Sequence, residues 1–184
     1  MVQKRNISHE IILGLLKHKK LHLRALSTMI NTPHSTVYRE VKALKKRGTL
    51  EYESIGRNRF ASIKKGMESM YEIYQAEYYR TSRFIESNQE FSILAERILD
   101  KTSARLIIIF GSYAKGTEKK TSDIDIYINT ENRKTRDAVS AIDSKLNIKI
   151  GGFDRKTPLA KEILRDHIIL RGVEFFYEKN PIFD

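Results

Sequence analysis

Apolar positions recur along this chain with two different periods, and the period changes mark its organisation. In the first third the spacing is helical. Ile11, Ile12, Leu15 and Leu16 share one side of a segment that Ser8 can cap. Leu23, Leu26 and Ile30 line a second helix. Asn31, Thr32 and Pro33 break the pattern, and Ser35 or Thr36 can cap a third helix with Val37, Val41 and Leu44 inward and Gly48 beyond its end. Residues 50–54 and 59–63, joined across a turn containing Gly56, read as a β-hairpin. A long segment then places Met67, Met70, Tyr71, Tyr74 and Tyr78 at helical spacing, and a further helix over residues 89–101 turns Phe91, Leu94, Ile98 and Leu99 inward.

Beyond residue 105 the pattern becomes that of strands. Residues 106–110 form a short, β-branched, continuously apolar run, as a buried strand does. Residues 122–129 alternate strictly, with Ile124, Ile126 and Ile128 on one face and Asp123, Asp125 and Tyr127 on the other. Residues 146–150 alternate too: Leu146, Ile148 and Ile150 are apolar, and Asn147 and Lys149 oppose them. The tail predicts a helix over residues 158–165, a strand over 168–170, a glycine turn at Gly172 and a closing strand over 173–177. The expected class is α+β in three parts: a helical and hairpin domain over residues 1–65, a connector helix over 66–87, and an α/β domain with a small mixed sheet over 88–184.

The densest chemistry lies at Gly111-Ser112 and, ten residues on, Asp123 and Asp125. A Gly-Ser turn from a strand into a helix presents backbone N–H groups to a phosphate. Two carboxylates at i and i+2 on a strand project side by side, which suits a hard cation such as Mg²⁺. With Gly116 after Lys115, and Ser122 just before Asp123, this arrangement resembles the signature of the DNA polymerase β-like nucleotidyltransferase superfamily, in particular its minimal members. The resemblance covers roughly residues 88 to 178. It implies that Gly111, Ser112 and Lys115 bind the triphosphate of an NTP and that Asp123 and Asp125 hold Mg²⁺ as catalytic carboxylates. It also implies a third carboxylate on a later strand. The strand over 146–150 offers Asn147 and Lys149 there, and neither is an acid. Asp143 and Asp154 flank that strand without lying on its polar face. A Lys149 ammonium could instead supply the charge that two neighbouring aspartates need.

Charge separates the domains. The net +11 resolves into 15 Lys+Arg against 4 Asp+Glu in residues 1–65, and 19 of each in the remainder. All the excess positive charge belongs to the N-terminal third, which points to an anionic partner. Three helices and a hairpin resemble the winged helix-turn-helix of small prokaryotic transcriptional regulators. That resemblance implies double-stranded DNA as partner, with Ser35, Thr36, Tyr38, Arg39, Lys42 and Lys46 on the helix entering the major groove. Arg57 and Arg59 at the hairpin tip would reach the backbone or minor groove. The Met/Tyr stripe over residues 67–78 suits a homodimer interface. No apolar run approaches the roughly 18–20 residues that span a membrane, the first residues lack a signal-peptide core, and cysteine is absent. These features lead to an expectation of a cytoplasmic location.

Two functions follow. One is a DNA-binding, regulator-like protein whose nucleotidyltransferase-fold domain binds Mg-NTP with little or no catalysis. The other is an active Mg²⁺-dependent enzyme transferring NMP from NTP to a hydroxyl on a protein or small-molecule acceptor. Asn147 and Lys149 separate them.

Overall fold

A computed structural model describes residues 5–56 and 58–183. The chain divides into two compact units, the first formed by the residues up to Tyr79 together with those from Ile182 on, and the second by Arg80–Pro181.

In the first unit, α1 (Ile7–His18), β1 (Lys20–His22), α2 (Leu23–Met29) and α3 (His34–Lys46) precede a hairpin of β2 (Leu50–Ile55) and β3 (Asn58–Ile63). The helix α4 (Met67–Ser87) follows and contributes residues to both units. The predicted inward positions do turn inward: Ile11, Ile12, Leu23, Leu26, Val37, Val41 and Leu44 have no exposed surface. The caps differ from expectation. Asn6, not Ser8, accepts from the His9 N–H at the start of α1, and the Ser8 hydroxyl instead donates to Glu40 at 3.0 Å. Neither Ser35 nor Thr36 caps α3, which begins directly after Pro33 without a side-chain cap. Proline's fixed φ enters a helix without sacrificing an N–H, so the helix starts earlier than a hydroxyl cap would allow.

The hairpin pairs Ile55 with Asn58, which shortens the connection to the two positions Gly56 and Arg57. Gly56 holds φ +59°, the left-handed conformation that such two-residue turns require. The three-residue strand β1 was not anticipated. It pairs antiparallel with β3, giving the order β1-β3-β2 with β3 in the middle. Within the same unit, the Tyr79 hydroxyl of α4 donates to Glu10 at 3.2 Å and accepts from the Asn6 N–H, and its ring packs on His9 at 5.3 Å.

In the second unit, α5 (Gln89–Lys101), β4 (Ile107–Phe110), α6 (Gly111–Lys115), β5 (Ile124–Ile128), α7 (Arg133–Ser140) and β6 (Leu146–Ile150) are followed by α8 (Pro158–Arg165), β7 (Ile168–Arg171) and α9 (Val173–Lys179). The sheet runs β6-β5-β4-β7, with β5 and β6 parallel and β4 antiparallel to both β5 and β7. Ile107, Ile109, Ile124, Ile126, Ile128, Leu146 and Ile148 pack with Phe91, Ala95 and Ile98 of α5 and Val139 of α7 in one core. The mixed α+β architecture with a small sheet is the class expected for a nucleotidyltransferase-type domain.

The closing strand expected over 173–177 is instead helix α9. Val173, Phe176 and Tyr177 are its buried residues, an i, i+3, i+4 set that only a helix brings to one side. Burial therefore overrides the β-propensity of aromatic and branched residues. Gly172 holds φ +89°, and a Cβ there would meet the Arg105 carbonyl oxygen. The Arg171 guanidinium donates to the carbonyls of Leu99 at 2.9 Å and Thr102 at 2.5 Å, closing the C-terminal end of α5.

Candidate functional site

The second unit's site forms where β4 ends. Phe110 pairs with Asp125 across the antiparallel ladder, and Asp125 pairs with Asn147 across the parallel one. Gly111 begins α6 at φ +69°, and a Cβ on it would lie 2.2 Å from Oδ2 of Asp125 and 3.0 Å from its Cγ. Glycine is therefore required twice over: for its conformation, and because the carboxylate occupies the space of a side chain. The other oxygen, Oδ1, accepts a 2.7 Å hydrogen bond from the Asn147 side-chain amide. Asp125 is half-buried between a glycine backbone and a neutral donor.

The remaining predicted site residues are placed unequally. Asp123 lies one residue before β5 and is exposed. Ser112 is half-buried in the first turn of α6. Ser122 closes the preceding loop, its hydroxyl accepting from the Lys119 N–H at 2.9 Å. The Lys115 ammonium is engaged with Glu162 of α8 at 2.7 Å, so it stands at the site's edge as one half of an ion pair. Lys149 pairs in register with Tyr127, two residues beyond the Asp125–Asn147 pair, and is exposed. It forms no ion pair with Asp123 or Asp125. The counter-charge expected from it is not made, because the parallel register offers Asp125 the amide of Asn147 instead. Asp143 and Asp154 spend their carboxylates locally, accepting from the N–H groups of Lys145 and Lys156. Tyr127 is not a candidate acid or base. Burial pushes its phenol up, and its hydroxyl donates to the Gly151 carbonyl at 2.7 Å and accepts from Asn129.

Among the described residues no cluster of three or more histidines or acids is placed to hold a metal ion. Mg²⁺ in phosphoryl-transfer sites is commonly held by one or two carboxylates together with substrate phosphates. The Asp123/Asp125 pair suits an ion that arrives with a nucleotide, and does not suit one held by protein ligands alone.

The first unit presents a basic surface around α3. Ser35, Arg39, Lys42, Lys46 and Arg59 are exposed, while Thr36 and Tyr38 are half-buried. Arg57 falls outside the described residues. Tyr38 stands at the centre of a cluster. The Lys42 ammonium lies 4.6 Å and the Arg59 guanidinium 5.0 Å from its ring centroid. Tyr52 of β2 sits 6.3 Å away, with Lys45 at 5.7 Å from the Tyr52 ring. The Lys42 ammonium beside the Tyr38 hydroxyl, aided by Arg59, holds that phenol below its usual range. Tyr52 went unrecognised in the sequence, although the β2 alternation does place it on the same side as buried Leu50. Arg47 is drawn away from this surface by Glu72 of α4 at 3.4 Å.

Residues 92–180 match the family described as Polymerase beta, Nucleotidyltransferase. This stretch is similar to nucleotidyltransferase domains, and it contains every element of the Gly111–Asp125–Asn147 arrangement. No curated protein and no solved structure matches the chain.

Proposed function

We propose that the chain is a DNA-binding, regulator-like protein in which a nucleotidyltransferase-fold domain binds Mg-NTP without appreciable transfer. The observation that carries the second half is the Asn147–Asp125 hydrogen bond of 2.7 Å. On the strand where the resemblance calls for a third acid, the residue in register with Asp125 is Asn147, a neutral amide. An amide does not accept a proton from an attacking hydroxyl and is a poorer metal ligand than a carboxylate. Gly111 and Ser112 remain suited to phosphate, and Asp123 and Asp125 to the ion that accompanies it. When bound, Mg²⁺ would neutralise phosphate charge. The chain's own residues would orient the triphosphate at the start of α6.

DNA binding is supported by the +11 balance of residues 1–65 and by the order of elements in the first unit. Three helices with a β1-β3-β2 sheet are the parts of a winged helix-turn-helix, with α3 as the helix for the major groove. A homodimer is supported by Met67, Tyr71 and Tyr78, which share one stripe of α4 and are 72%, 60% and 53% exposed; scattered single apolar residues are ordinary, but a continuous stripe suits a partner.

A second reading is favoured by the intact Gly111-Ser112 and Asp123/Asp125 set: transfer of NMP to a hydroxyl of a protein or small molecule. Incubation with radiolabelled NTPs, Mg²⁺ and candidate acceptors separates the two. Titration calorimetry that detects Mg-NTP binding, without label transfer, is the expected result. Label transfer that Asp123→Ala abolishes would establish the enzyme.

A further inference from the structure

The cluster on Tyr38 joins a helix to a hairpin through charges of one sign. Lys42 belongs to α3 and Arg59 to β3, yet both cations lie within about 5 Å of the same ring centre. They are thus at most about 10 Å apart, comparable with the Debye length of roughly 8–10 Å at physiological salt, so each feels the other's repulsion. The ring's negative face offsets part of that repulsion. Among the described residues neither cation has a carboxylate partner. The nearby Glu53 is engaged by Lys20, and Glu40 by Ser8 and Arg39.

Arg59, expected to reach the backbone or minor groove of DNA, has its guanidinium over the Tyr38 ring of the helix. Its guanidinium carbon lies 5.0 Å from the centre of the ring that the Lys42 ammonium also approaches, and the residue is exposed. A phosphodiester carries one negative charge over two non-bridging oxygens, which matches a planar fork on one side and an ammonium on the other.

We propose that Tyr38, Lys42 and Arg59 form a single clamp for one backbone phosphate of duplex DNA, bridging α3 and the hairpin. The clamp rests on the DNA-binding reading above. It assigns Arg59 to the phosphate that Lys42 contacts and removes it from the minor groove. Its occupancy would link the helix and the hairpin through one phosphate, and would carry no sequence information of its own.

The test is the salt dependence of duplex binding by the full chain, followed by fluorescence anisotropy with a labelled duplex of fixed mixed sequence. Each phosphate neutralised contributes roughly 0.9 to the slope of log K against log salt, measured between about 50 and 200 mM KCl. Lys42→Met and Arg59→Met are surface changes whose folding is checked by circular dichroism. The double variant is expected to lower the slope's magnitude by about one in total. A fall of about two would place the cations on separate phosphates, and an unchanged slope would place them on none. Either result overturns the clamp while leaving DNA binding standing. No binding of any duplex by the unmodified protein would overturn both readings. The same sequence as duplex RNA is expected to bind more weakly, since its narrow major groove excludes a helix; equal or tighter binding to RNA would also overturn the clamp.

Discussion

The Asn147 side-chain amide donates to the Asp125 carboxylate at 2.7 Å across the parallel β5–β6 ladder. Register sets this contact, since parallel strands hold these two residues level and on the same face. Asn147→Asp should replace a donor with a second carboxylate at almost unchanged volume. Two adjacent carboxylates repel, so the metal-free variant is expected to melt earlier than the unmodified protein. Mg²⁺ should restore more stability to the variant than to the parent. Thermal melts with and without Mg²⁺ give the comparison, and label transfer from NTP shows whether activity appears with it.

Gly111→Ala should destabilise the second unit by about 2 kcal/mol or more, from a left-handed backbone position and a methyl forced against the Asp125 carboxylate. Urea denaturation measures the loss. A midpoint unchanged from the parent would mean that the carboxylate can move aside at no cost.

Arg171→Met should lower stability by about 2 kcal/mol, because the carbonyls of Leu99 and Thr102 lose charged donors at the end of α5. Lysine at this position should recover only part of that, having no fork to serve two carbonyls. The check is the shift in melting temperature across the three proteins.

His9 is held below its usual pKa by burial, with Glu72 opposing the shift and Arg47 adding to it. The unfolded chain therefore takes up a proton on this residue at a higher pH than the folded one. Stability contributed by neutral His9 is present above the ordinary value of 6.5 and declines as pH falls below it. Urea midpoints across that range should fall with pH in the parent and fall less steeply in His9→Gln.

Tyr71→Glu together with Tyr78→Glu should convert a dimer to monomers by placing charge in an apolar contact. Light scattering decides it. A monomeric parent protein would remove the α4 interface from consideration.

Much of this geometry is written in short periods. The alternation of residues 122–129 and 146–150 anticipates β5, β6 and the Asp125–Asn147 face, because a period of two leaves no choice of side. The helix over 89–101 coincides with α5. What escaped depends on partners distant in sequence. Strand β1 has three residues and no pattern of its own; its pairing with β3 defines it. Helix α7 buries only Val139, so its sequence lacks an apolar stripe to announce it. At α9 the apolar spacing served either period over five residues, and the packing of Phe176 chose the helix. Lys149 was legible as to face but not as to level. Two residues along the same face of the strand separate a side chain beside Asp125 from one beside Tyr127.

Strand β3 is flanked on both edges, by β1 and by β2. The hairpin that carries Arg59 is thus already shaped before any partner arrives, and little ordering entropy remains to be lost at encounter. On the proposed DNA-binding reading, charge on this surface should govern how fast a nucleic acid is met. How long it stays should depend on contacts made by a scaffold that does not have to fold around it.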